Sequence, residues 1–129
     1  MNQKITAVAV FYIFTSILLG AFGSHGIKNY VSEELIITFD KGVKYLMYSG
    51  LGILVLALND SKFNFSLKWS YRLIILGSLL FSVNIFIYTF HEAIPSLKNF
   101  VHIVPLGGLL MIIGWGILGF KLLKKTNLK

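Results

Sequence analysis

The sequence predicts an all-α integral membrane protein, an antiparallel bundle of four transmembrane helices, and three observations carry that expectation. The 129 residues are 56% hydrophobic and only 13% charged, about half the charge of an ordinary soluble domain. Four runs with little or no charge approach the roughly 20 residues that a helix rising about 1.5 Å per residue needs to cross a hydrocarbon core about 30 Å thick. The charges lie between those runs and are unequally shared by the two sides of the membrane they imply.

The first run, ITAVAVFYIFTSILLGAFG, residues 5–23, contains no charge. Lys4 before it and Ala21-Phe22-Gly23 at its end resemble a signal peptide with a small-x-small cleavage site. Its apolar stretch exceeds the usual length of about 7 to 15 residues in such a segment, so a retained span is expected. The second run, residues 42–58, carries Lys44 near one end, where a long stem can return its ammonium to the headgroups. Ahead of it Leu35, Phe39, Val43 and Leu46 recur at helical spacing, and Ser32 followed by Glu33 and Glu34 is an N-cap with favourable acids in the first turn. One long helix that starts outside the hydrocarbon and runs into it is therefore predicted.

The third run, residues 73–90, holds Ser78, Ser82 and, near mid-depth, Asn84. Hydrogen bonds between membrane helices are worth about 0.6 to 2 kcal/mol, and Asn84 is expected to face protein and fix helix registry. Ser78 with Ser82, and Ser16 with Gly20 in the first run, have the four-residue spacing of close helix contacts. The fourth run, residues 103–120, opens with Pro105, which suits a helix starting near Val104 better than a bend within the span. Tyr12, Tyr30, Tyr88 and Trp69 are read as interfacial anchors. The whole chain, residues 1–129, is expected to form this single four-helix domain with short loops.

Lys and Arg are retained preferentially on the cytoplasmic side. Lys4, Lys62, Lys68, Arg72, Lys121, Lys124, Lys125 and Lys129 fall on one side; Lys28, Lys41, Lys44 and Lys98 fall on the other with Glu33, Glu34, Asp40 and Glu92. Both termini are thus expected in the cytoplasm. The net charge of +7 resides on that side, whose only acid is Asp60. Its basic rim suits anionic lipid heads, at about 1 kcal/mol per nearby base. Nucleic acid is not an expected partner, because the bases are tied to helix ends and have no stacking platform.

The motifs that suggest chemistry lose it in context. GWGILG, residues 114–119, matches a dinucleotide fingerprint by letters but lies inside an apolar span with no strand before it. Close helix packing is the expected role of its glycines. HEAIP, residues 91–95, places Pro95 where a zinc protease needs its second imidazole. Cysteine is absent, so thiolate chemistry is excluded. His25, His91 and His102 share the outer side with four acids and could in principle hold a metal or relay protons, but polar residues gather at every helix end. No cofactor or metal is expected; His25, Asn84, His91 and His102 are the polar positions that merit inspection.

GAFGSHGIK, FDKGVKYLMYSG, GSLLFS and VPLGGLLMIIGW occur in this order along nearly the whole chain, to Trp115. In these segments the chain resembles the small bacterial membrane proteins called domain of unknown function 423, which are related to a mitochondrial transmembrane protein. The resemblance implies a multi-pass protein of a bacterial cell membrane with no assigned activity, and motif positions Gly20, Gly23, His25, Tyr45, Ser82, Pro105, Gly107, Gly108 and Trp115. Where the family tends to read tyrosine-glutamine-methionine-tyrosine-histidine, this chain has Tyr45, Leu46, Met47, Tyr48 and Ser49. A site built on that glutamine and histidine would be depleted here.

The expected function is structural or regulatory, through binding membrane lipids or other membrane proteins, with a homo-oligomer allowed. There is no complete catalytic set and no charged pathway within the spans, so an enzyme is not expected. The alternative is an oligomeric channel or transporter for a small solute or ion, assembled around Asn84, Ser78 and Ser82.

Overall fold

The computed structural model describes residues 1–126; Lys129 of the basic tail lies outside the described residues. The chain forms four long helices, α1 (Gln3–His25), α2 (Glu33–Leu58), α3 (Lys68–Tyr88) and α4 (Val104–Thr126), each long and apolar enough to cross a membrane. Short 3-10 segments, Asp60–Lys62 and Pro95–Ile103, join α2 to α3 and lead into α4.

The helix starts follow from local chemistry. Asn2 caps α1 by accepting from the Ile5 N–H at 3.2 Å, and Ser32 caps α2 by accepting from the Leu35 N–H at 3.4 Å. The amphipathic segment before the second span and the span itself are one helix, as the spacing of Leu35, Phe39, Val43 and Leu46 predicts. Helix α4 begins at Val104 with Pro105 in its first turn, where the missing N–H costs no helical bond. Helix α1 extends beyond its apolar run at both ends, α3 at its start and α4 at its end, because polar ends such as Lys68 to Arg72 continue the helix into the headgroup zone. Helix α3 stops at Tyr88, two residues short of its run, where Thr89 and Phe90 turn out of the helix.

The bundle is antiparallel. The Asn2 N–H donates to the Ala57 carbonyl at 3.0 Å, joining the start of α1 to the end of α2, and Lys121 Nζ donates to the Ser66 carbonyl at 3.0 Å. The start of α1, the Lys121 end of α4 and the 59–67 connection therefore share one face. The close pairs are α3 with α4, α1 with α2, and α2 with α3.

Lipid offers no hydrophobic incentive for helices to associate, so close backbone approach and hydrogen bonds hold them together. The α3–α4 crossing is the closest. A methyl group on Gly107 would collide with the Phe81 amide nitrogen and lie 2.6 Å from the Gly77 carbonyl oxygen; one on Gly77 would lie 2.7 Å from the Gly107 oxygen. Gly114 packs on Ile74, but Gly116 and Gly119 face open space, so only the first glycine of GWGILG serves the expected packing role.

Side-chain hydroxyls supply the interhelical ties. Tyr12 is only 7% exposed and donates from its phenol to the Ile75 carbonyl at 2.9 Å; Ser78 Oγ lies 2.9 Å from that phenol oxygen and 3.0 Å from the same carbonyl. This corrects the expectation of an interfacial anchor, because the register of α1 turns Tyr12 inward onto α3 at mid-span. Ser82 joins α3 to α2 by donating to the Gly42 carbonyl at 2.8 Å. Asn84 is buried as expected, yet its amide donates at 2.6 Å to the Leu80 carbonyl of its own helix, so the registry bond expected of it is supplied by Ser82. Ser16 likewise bonds within its own helix, to the Tyr12 carbonyl.

Candidate functional site

A groove of about 1260 Å³ opens between the start of α1, the 59–67 connection and α3. Its composition changes with depth. At the mouth stand Asp60, Lys68, Trp69 and Arg72; further down α3 come Ile75, Leu76 and Leu79, faced by Ile5 of α1. From Lys68 to Leu79 is about 17 Å at the helical rise, close to the half-thickness of a hydrocarbon core about 30 Å deep.

The mouth is ordered by side-chain contacts. Trp69 is 57% exposed, and the Arg72 guanidinium lies over its ring, 5.3 Å from the centroid, a cation–π arrangement that sets the indole and the cation at one level. The Tyr71 hydroxyl donates to Asp60 Oδ1 at 2.7 Å, so the single acid of this face is engaged by a neutral donor. Lys68 and Arg72 are one helical turn apart and both exposed. Lys4, Lys62 and Lys121 add positive charge to the same face, and Lys121 is held near the Phe65 ring. An indole, two cations and an apolar floor form a surface that is wet at one end and oily at the other.

The polar positions singled out from sequence do not gather. His25 is exposed at the end of α1, and His102 is exposed at the end of the 3-10 segment before α4. The His91 ring stacks on Tyr88 at 4.4 Å between centroids, with Nδ1 2.8 Å from the Tyr88 carbonyl oxygen. Among the described residues no three His, Cys, Asp or Glu side chains are grouped to hold a metal ion. Asn84, Ser78 and Ser82, the residues that an oligomeric channel would use, each donate to a backbone carbonyl within the bundle.

The motif positions are chiefly packing residues. Gly20 and Gly23 lie against Val43 and Phe39 of α2; a methyl on Gly23 would stand 2.8 Å from the Phe39 ring. Pro105 and Gly107 start α4 and let it approach α3. Tyr45, Gly108 and Trp115 meet in a second, apolar groove of about 610 Å³ between α2 and α4, together with Tyr48, Ser49 and Met111. Ser49 donates to the weak acceptor Met111 Sδ at 3.6 Å. In the sequence Lys68 and Arg72 stand among the bases flanking the third run and Trp69 stands as an anchor; their spacing of one helical turn is the signal that joins them into one groove mouth.

Comparison with known proteins agrees with a membrane protein. The family described as a protein of unknown function, DUF423, matches residues 19–108. A UPF0382 membrane protein of Staphylococcus haemolyticus is 33% identical over 100 residues, 78% of this chain and 79% of that protein. One from Haemophilus influenzae is 30% identical over 127 residues, 98% of each chain. No solved structure matches.

Proposed function

The chain belongs to the DUF423 family of membrane proteins, and from that premise we propose that it serves a structural or regulatory role in a bacterial cell membrane by holding lipid in the groove between α1 and α3. The observation that carries this reading is the change in the groove from a cationic, aromatic mouth to an apolar floor over about half a bilayer. A headgroup level followed by a hydrocarbon level is the order in which a leaflet presents its own chemistry. The reading places the termini in the cytoplasm, since Lys4, Lys62, Lys68, Arg72, Lys121, Lys124 and Lys125 share their face with Asp60 alone. No catalytic role is needed for it, and the family has no known catalytic activity.

Native mass spectrometry of the full chain released from mild detergent tests the reading. A lipid adduct of defined stoichiometry is expected, and it should weaken when Leu76→Trp fills the apolar part of the groove, where Leu76 is 51% exposed. Complete delipidation under conditions that preserve the fold would refute it.

A further inference from the structure

We propose that the groove selects an anionic phospholipid, with the phosphate held between Lys68 and Arg72 and one acyl chain laid along Ile5, Ile75, Leu76 and Leu79. This deepens the lipid reading above and rests on it.

Charge complementarity identifies the occupant. Lys68 and Arg72 are like charges four residues apart on α3, a spacing at which they repel. An anion between them turns that repulsion into two attractions, and the planar guanidinium presents paired donors suited to phosphate oxygens. Trp69 stays at the level of the lipid glycerol region because its indole is apolar over its body and polar at its N–H. Asp60 is the one group at the mouth that opposes an anion; its Oδ1 already accepts from Tyr71 at 2.7 Å, and two cations outweigh it. A zwitterionic headgroup would leave the excess positive charge of this mouth uncompensated.

The apolar part specifies a lipid over a free anion. Ile75, Leu76 and Leu79 continue the groove below the bases into the depth of one leaflet, with Ile5 as the opposite wall. A soluble phosphate ester could meet the bases but would leave this wall untouched. A phospholipid satisfies both at once, without a new cavity having to open.

The test is competition between phosphatidylglycerol and phosphatidylcholine of matched acyl chains, offered in equal amounts in nanodiscs to the full-length protein and read as retained adducts by native mass spectrometry. Each nearby base favours the anionic lipid by about fivefold; two bases opposed by the one charge of Asp60 leave an expected preference of about fivefold. The double variant Lys68→Gln/Arg72→Gln should abolish the preference, whereas Lys124→Gln/Lys125→Gln, which removes equal charge from α4 outside the groove, should leave it intact. Both variants alter exposed side chains, and an unchanged circular dichroism spectrum verifies the fold. Preference lost equally in the two variants overturns the inference in favour of a diffuse basic rim. Stoichiometric adducts without headgroup preference overturn it while leaving the lipid groove standing. No retained lipid of either kind overturns both. Displacement of the adduct by glycerol 3-phosphate alone would show that the acyl wall contributes nothing, and would also overturn it.

Discussion

Replacing Gly107 by alanine should unseat α4 from α3. The added methyl would meet backbone on two sides, colliding with the Phe81 amide nitrogen and lying 2.6 Å from the Gly77 oxygen and 2.9 Å from the Leu80 carbonyl carbon. No rotamer change relieves contact with backbone, so the helices must part by about 1 Å to restore ordinary separations of about 3.5 Å or more. A gap of about that size forfeits a quarter to a half of each dispersion contact along the crossing. Overpacking of this kind costs about 3 kcal/mol at the upper end of its usual range, offset by about 1 kcal/mol from the better helix propensity of alanine, for a net loss of about 2 kcal/mol. Gly116→Ala is the matched control. It lies in the same helix with nothing within 4 Å of its added methyl, so only the propensity gain applies and the variant should be neutral or more stable by up to about 1 kcal/mol. The two should therefore differ by about 3 kcal/mol in reversible unfolding by dodecyl sulfate in mixed micelles, followed by circular dichroism. Equal midpoints for the two variants would refute the close α3–α4 crossing.

Two further outcomes follow from the fold. Tyr12→Phe removes the donor to the Ile75 carbonyl but leaves Ser78 within reach of that oxygen, so the loss should be about 1 kcal/mol in the same assay; no loss at all would mean that Tyr12 does not tie α1 to α3. Because the native chain lacks cysteine, single cysteines report topology directly. A membrane-impermeant maleimide applied to intact cells should label Asn29→Cys and spare Ser61→Cys, both exposed positions, and the reverse pattern would invert the proposed orientation.

Much of this architecture is legible in the sequence because it is written in local terms. The long second helix is announced by Ser32, two acids and the spacing of Leu35 to Leu46, and the start of the fourth by Pro105; both depend on backbone groups a few residues away. The inward turn of Tyr12 is different. Helix α1 is apolar on nearly every side, so no polar stripe marks which face meets protein and which meets lipid. The same holds for GWGILG, in which Gly114 packs and Gly116 does not although the sequence treats them alike. The burial of Asn84 in protein is legible from its depth in an apolar run, but whether an amide bonds across a crossing or back to its own helix depends on distances set by tertiary packing. The groove is the least legible feature, because Ile5 and Leu76 become opposite walls only after two helices separated by a third have been brought together.

The pairing of helices also bears on how the chain is made. Because α1 packs closely on α2 and α3 on α4, each half is a hairpin of neighbours in sequence, and each can form as soon as its second member leaves the ribosome and enters the bilayer. The groove belongs to neither half, since Ile5 comes from the first and Lys68, Arg72 and Leu76 from the second. A lipid bound there bridges the two hairpins, and its presence reports that biogenesis has joined them.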